Sequence, residues 1–355
     1  MVRHMRTIEW DSTTKNIRTI DQRRLPGQLE YVVLLDYHQV AAAIKNMTLR
    51  GAPVIGVAAA FGLALAAFHS NASNLTGLKN DLQLAALELI NTRPTAVNLS
   101  WAIKRILAVA DSFQGRDIEE LKNRIETEAC RMADEDVQTN LTISKFGTAL
   151  IEDGDTIIHH CNTGALATVD WGTALGVIRM AFEQGKHLHV LVDETRPRMQ
   201  GSRLTAWELQ QYGIPFDIIC DDMAGYFLYT GKANKVLFGA DRVARNGDVA
   251  NKIGSYMLAL AAHANKVPVY SVFPCSTVDL MLTDGNAILV EERDPAEVLD
   301  IQLHGEQVTP IGASARNPAF DITPQDLLTG YITEIGIINA PFESNFNLAI
   351  QQHRS

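Results

Sequence analysis

The stretch Thr156-Ile-Ile-His-His-Cys-Asn-Thr-Gly-Ala-Leu-Ala-Thr168 decides the fold. An apolar run of strand length ends on a cysteine and turns at once into a glycine loop and a helix, which is the grammar of a βα unit in a parallel sheet. In open parallel sheets, ligands collect beyond the carboxyl ends of the strands, where loops and helix N-termini converge. The thiol of Cys161 is therefore predicted at the edge where α/β enzymes keep their chemistry.

The same grammar recurs downstream. His187-Leu-His-Val-Leu-Val-Asp193 runs into Glu194-Thr-Arg-Pro-Arg-Met-Gln-Gly201 and a helix from about Ser202, and Phe216-Asp-Ile-Ile-Cys220 runs into Asp221-Asp-Met-Ala-Gly225. Lys235-Val-Leu-Phe-Gly-Ala240 delivers Asp241, and Val267-Pro-Val-Tyr-Ser-Val-Phe273 delivers Pro274-Cys-Ser-Thr277. Repeated strand–loop–helix units predict an α/β fold with a Rossmann-like parallel sheet in a C-terminal domain, residues 146–355. Upstream, short β pieces at 6–10, 16–21 and 29–35 pass into helical patterns at 37–46, 53–68, 75–90, 94–112 and 118–150. They predict a smaller, mostly helical N-terminal domain, residues 1–145.

With 355 residues, 46% hydrophobic and 20% charged, the chain has ample material for a sizeable core and about two domains. A net charge of -10 without a basic stripe argues against nucleic acid as a partner. The longest apolar run, 54–68, is shorter than the roughly 20 residues a membrane span needs, and no signal-peptide pattern opens the chain, so a cytoplasmic protein with no membrane partner is expected. Cys130, Cys161, Cys220 and Cys275 lie far apart without CxxC spacing. That spacing suggests neither a zinc site nor a secreted disulfide framework, and reduced thiols are expected.

Three arginine motifs point to an anionic ligand. In Arg50-Gly-Ala-Pro53 and Thr92-Arg-Pro94 a cation precedes a proline suited to a first helical position, where free backbone N–H groups and the helix dipole favour an anion. The third, Arg196-Pro-Arg198 before Gln200-Gly201, offers a guanidinium fork beyond a strand end. Together they favour a phosphorylated ligand.

Isolated strand cysteines usually act as small hydrophobes, but an Asn-Thr-Gly turn and a helix start after Cys161 would orient N–H groups toward a thiolate. Cys220 and Cys275 have no such glycine turn. Asp241, after a buried-looking run, either caps the next helix or is a general acid/base raised by burial, with Asn251 and Lys252 holding substrate oxygens. The pairs His159-His160 and His187, His189 have no acidic partner motif and read as strand packing or support behind the site rather than metal ligands. Gly164 and Gly172 do not make a dinucleotide fingerprint. No cofactor and no metal are expected.

Five motifs carry a resemblance: Arg50-Gly-Ala-Pro-Val-Ile-Gly56, Cys161-Asn-Thr-Gly-Ala-Leu-Ala-Thr168, the stretch from Glu194 to Leu209, the stretch from Gly239 to Gly254, and Asn317-Pro-Ala-Phe-Asp321. The chain resembles the methylthioribose-1-phosphate isomerase family along nearly its whole length. Relatives sharing the fold include ribose-1,5-bisphosphate isomerases and regulatory subunits of the guanine-nucleotide exchange factor of translation initiation, which are interaction proteins. The resemblance implies aldose–ketose isomerisation of 5-methylthioribose 1-phosphate in methionine salvage, with Asp241 as proton donor and Cys161 as transition-state stabiliser. It also implies that Arg50, Gly51, Ala52, Arg93, Gln200, Asn251 and Lys252 line the substrate site, and that the chain forms a homodimer. Val54 and Ser255 are mild departures from the family's usual pattern.

The chemistry needs such residues. An anomeric phosphate blocks spontaneous ring opening, so the ring oxygen must be protonated before hydrogen moves from C2 to C1. An acid such as Asp241 suits that step. The hydrogen then moves either through an enediol-type intermediate, which needs a base, or as hydride, which needs a dry pocket, and Cys161 could serve either route. The N-terminal domain carrying Arg50 and Arg93 is the natural lid.

Overall fold

The computed structural model describes residues 5–346 and 350. Of the predicted spans 1–145 and 146–355, residues 1–4, 347–349 and 351–355 lie outside the described residues. Two compact units emerge: one runs to Ser144 and takes in Thr163–Gly176, the other joins Lys145–Asn162 to the described residues from Val177 on.

The first unit opens with an antiparallel sheet of β1 (Ile8–Asp11), β2 (Asn16–Ile20) and β3 (Tyr31–Leu34). Five helices follow: α1 (Tyr37–Lys45), α2 (Ala52–His69), α3 (Leu75–Ile90), α4 (Val97–Ser112) and α5 (Ile118–Gly147). Asp36 caps α1 by accepting the Gln39 N–H at 2.8 Å, and Asn74 caps α3 through the Gly77 N–H at 2.9 Å. α2 has no polar face because every residue from Val54 to Ala67 is buried, with α1, α3 and α4 packed around it. A helix apolar enough to span a membrane by length alone is thus the centre of this unit's core.

Residues 163–176 belong with this unit because its side chains and backbone hold them. The Thr7 N–H donates to Val169 O at 2.8 Å and Gln22 Nε2 to Leu166 O at 2.7 Å. Asp136 accepts the Val169 N–H at 2.8 Å, and Trp171 Nε1 donates to Ser144 Oγ at 2.7 Å. The predicted boundary at 145/146 has no such return of the chain.

The second unit is built on a seven-stranded sheet. Its strands are β4 (Asp155–His159), β5 (Leu188–Asp193), β6 (Phe216–Ile219), β7 (Lys235–Phe238), and three more numbered below in chain order. A side sheet interrupts the succession with β8 (Arg242–Ala244) and β9 (Val249–Lys252), before β10 (Val269–Val272) returns to the main sheet. Then come β11 (Val278–Asp279), a small hairpin of β12 (Gln302–Leu303) and β13 (Glu306–Gln307), and β14 (Phe320–Thr323). β15 (Gly330–Thr333) and β16 (Gly336–Asn339) complete the main sheet. Its order is β16-β15-β10-β7-β4-β5-β6, parallel except for β16, while β11-β8-β9-β14 form the side sheet. Connecting helices include α6 (Ala174–Glu183), α7 (Ala206–Tyr212), α8 (Met223–Tyr229) and α9 (Ser255–Ala264).

The central strands are buried on both faces, β7 and β10 along their whole length, as expected of a sheet covered by helices. From β4 the chain winds outward through β5 and β6, then returns to the other side of β4 with β7, β10 and β15. That is the doubly wound Rossmann order, and its switch point lies between β4 and β7. The predicted α/β class and Rossmann-like sheet are present.

Candidate functional site

Cys161 and Asp241 leave the sheet at this switch point. β4 and β7 are paired in parallel, with His159 opposite Leu237, and both residues follow the carboxyl ends of these two strands. Cys161 is buried, and its backbone is in the left-handed region at φ 64. A non-glycine residue there costs about 1–3 kcal/mol, so the surroundings must hold it. They do so on both sides of its Cα: its N–H donates to Thr195 Oγ1 at 2.9 Å, and its carbonyl accepts from Thr205 Oγ1 at 2.7 Å. Asn162 is fixed by the buried Glu208 carboxylate, to which its Nδ2 donates at 2.8 Å. Thr195 is itself left-handed at φ 60, and Asp221 accepts the N–H groups of Thr195 and Arg196, each at 2.7 Å.

One expectation fails at Cys161. The helix predicted to follow it at once begins only at Ala174, after a 3-10 turn at Ala165–Ala167. Thr163 caps that later helix by accepting the Leu175 N–H at 2.9 Å. The glycine turn answers to packing within the first unit rather than to helix propensity.

Asp241 is half-buried, and its N–H donates to Ala250 O at 2.9 Å, so it starts the β8–β9 hairpin rather than capping a helix. Asn251 and Lys252 are buried on β9. Asn251 Nδ2 donates to Ser255 Oγ at 2.8 Å and Lys252 Nζ to Ala319 O at 2.7 Å. Gln200, buried at the loop after β5, precedes a π-helical turn at Gly201–Thr205 where an ordinary helix start was expected. Its Oε1 is buried without a partner among the described residues.

In the first unit, Gly51 at φ 120 precedes α2, with Ala52 and Pro53 at its first positions, as the Arg50 motif predicts. The Arg93 motif differs. α4 starts at Val97, and Pro94 lies inside a turn closed by the Ala96 N–H donating to Arg93 O at 3.0 Å. Proline suits the second position of such a turn as well as a first helical position, so the dipeptide alone did not separate them. The guanidinium fork after β5 is also spoken for: Arg198 pairs with Glu297 at 2.7 Å, and Arg196 donates to Val298 O at 2.9 Å.

Three of these histidines, His160, His187 and His189, meet a carboxylate in the fold. His187 meets Asp153 at 3.0 Å and His189 meets Asp217 at 2.9 Å, both in exposed surroundings away from the site. His160 meets Asp193 at 2.8 Å, with both side chains buried. Each carboxylate comes from a neighbouring strand or its flank, remote in sequence, so no local motif announced it. Ligand atoms of His160, Asp193 and Asp221 lie within 4.8 Å of one another, but hydrogen bonds account for the group: His160 Nε2 faces Ile253 O at 2.9 Å and must carry a proton, and Asp221 is occupied by the two backbone N–H groups. Burial alone would lower the His160 imidazole, and the hydrogen bond and charge of Asp193, with Asp221, overcome it and hold the ring above its ordinary value. Burial likewise pushes Asp193 up to about 6 against the pull of His160. The Asn317-Pro-Ala-Phe-Asp321 motif also finds its use here, since Asp321 accepts the N–H groups of Gly254 and Tyr256 at 2.7 and 3.1 Å and caps α9.

A Rossmann-order sheet presenting a cysteine and an aspartate at its switch point defines the class, and the comparisons place it: the chain belongs to the initiation factor 2 subunit family, whose model matches residues 48–340. Within that family it is similar to methylthioribose-1-phosphate isomerases. It is 49% identical over 329 residues to the one from Acetivibrio thermocellus, covering 93% of this chain and 96% of the relative. The solved 5-methylthioribose 1-phosphate isomerase from Pyrococcus horikoshii superposes with a TM-score of 0.90 at 41% identity, over 98% of this chain and 96% of that one. A structure from A. fulgidus titled as the delta subunit of translation initiation factor eIF-2B also matches, with a TM-score of 0.85 at 41% identity, over 98% and 99% of the two chains.

Proposed function

We propose that this chain is an aldose–ketose isomerase converting 5-methylthioribose 1-phosphate to 5-methylthioribulose 1-phosphate in methionine salvage. The observation that carries the reading is the emergence of Cys161 and Asp241 from two adjacent parallel strands at the switch point. In this reading Asp241 protonates the ring oxygen, the C1–O bond to it breaks, hydrogen passes from C2 to C1, and the C2 hydroxyl gives up its proton to leave the ketone and restore the acid, while Cys161 stabilises the transition state. Gln200, Asn251 and Lys252 hold sugar oxygens. Arg50, Gly51, Ala52 and Arg93 hold the phosphate, supported by the start of α2, where no side chain of Gly51 caps the helix. The protein acts as a cytoplasmic homodimer without metal or cofactor, and the N-terminal unit is the lid.

A second reading, a non-catalytic regulatory subunit, is favoured by the likeness to the A. fulgidus eIF-2B delta-subunit structure. Turnover separates the two. Wild type and Cys161→Ser are assayed with 5-methylthioribose 1-phosphate and, separately, ribose 1,5-bisphosphate, with chelator present. Conversion of the methylthio sugar by wild type, lost in the variant, is the expected result. Conversion of the bisphosphate alone moves the assignment to that substrate, and conversion of neither supports the regulatory subunit.

A further inference from the structure

His160 stands between the strand end that carries Cys161 and the one that carries Asn251 and Lys252. It precedes Cys161 directly, and its Nε2 donates at 2.9 Å to the carbonyl of Ile253, the residue after Lys252. The ring also packs on the turn itself: a Cβ at Gly254, which sits at φ 105, would lie 2.8 Å from His160 Cε1. A side chain at 254 would drive the ring away, so glycine here makes room for the histidine as well as for the backbone.

The protonation follows from the partners. A backbone carbonyl only accepts, so Nε2 carries hydrogen. Nδ1 faces Asp193 Oδ2 at 2.8 Å, and a carboxylate accepts as well. Asp193 Oδ1 is buried with no partner among the described residues, so His160 is the donor that its side chain has. Two buried groups sharing a short charge-assisted bond give a rigid link rather than a mobile one. We propose that His160, protonated on both ring nitrogens and anchored by Asp193, is a positioning residue that fixes Cys161 against Asn251–Lys252. The role rests on the isomerase reading, since those are the residues placed there on the sugar.

The two bonds can be cut separately. Asparagine places its amide nitrogen near a histidine Nδ1, and glutamine near Nε2. His160→Gln therefore keeps the tie to Ile253 and loses Asp193, while His160→Asn keeps Asp193 and loses the turn. The expected pattern is asymmetric: in His160→Gln, kcat falls at least about tenfold with KM within about threefold, whereas in His160→Asn, KM rises at least about tenfold. Equal effects on both parameters in the two variants, or wild-type kinetics in both, would overturn the role, since a merely structural histidine has no reason to split them.

A spectroscopic readout needs neither variant nor substrate. In 15N-histidine-labelled wild type at pH 8.5, exposed imidazoles have lost their second proton. One ring of the ten histidines should still show both nitrogens protonated. A spectrum in which every ring has a bare nitrogen would sink the proposal even if the variants fail to fold. Should wild type not turn over the methylthio sugar, the isomerase reading fails by itself, and the nitrogen spectrum still decides the protonated clamp.

Discussion

The Cα of Gly51 faces the backbone of Ala167 so closely that a Cβ at position 51 would lie 2.4 Å from the Ala167 carbonyl oxygen. The Arg-Gly-Ala-Pro motif and the loop that follows Cys161 thus meet inside one unit, through backbone alone. Gly51→Ala has to relieve that clash and adopt φ 120, at a combined cost on the order of 3 kcal/mol. Thermal unfolding should show a clear drop in Tm, with turnover reduced in the fraction that folds. An unchanged Tm would mean that the two backbones do not touch.

Asp241→Asn keeps the side-chain shape and removes the transferable proton. Turnover should fall by about 100-fold or more while substrate binding, followed by calorimetry, persists. Near-normal turnover would remove Asp241 from the acid role.

At the opposite end of the sheet, Lys235 and Asp155 form a buried ion pair at 2.8 Å, with Asn234 Nδ2 also donating to Asp155 at 2.6 Å. Asp155→Ala leaves a lysine buried without its partner charge, which typically costs about 3–5 kcal/mol. Denaturant unfolding should register that loss, while kcat of the folded protein stays near wild type because the pair lies at the amino ends of β4 and β7. A large fall in kcat at saturating substrate would give the pair a functional role it is not expected to have.

Asp136 on α5 gives the fold a pH dependence. Burial pushes its carboxyl up to about 7 from an ordinary 3.8, against the Val169 N–H, which pulls it down. The folded chain therefore holds a proton that the unfolded chain releases. This contribution is full below about pH 4 and is lost as pH rises through 7. Asp136→Asn, which can still accept the Val169 N–H, should gain stability over wild type at pH 8 by up to about 4 kcal/mol, with a much smaller gain at pH 4. A mutant-to-wild-type difference in Tm that is flat from pH 4 to 8 would show that Asp136 does not carry this proton.

Much of this protein was legible in its residues. Alternation of apolar runs with polar loops specified the parallel sheet, since strands covered on both faces must be apolar throughout, and the helices of the first unit followed from their helical patterns. Cys161 and Asp241 could be singled out because strand ends are written locally, by an apolar run stopping at a polar residue. What tertiary structure decided is everything that depends on strands far apart in sequence becoming neighbours. Only the order of the sheet puts β4 beside β7, and only β5 beside β4 gives His160 its aspartate. The return of residues 163–176 to the first unit, the delayed start of α6 and the pairing of Arg198 with Glu297 belong to the same class. Periodicity and capping act over a few residues, whereas a hydrogen bond across a sheet joins whatever residues the fold brings within 3 Å, and no local pattern encodes its partner.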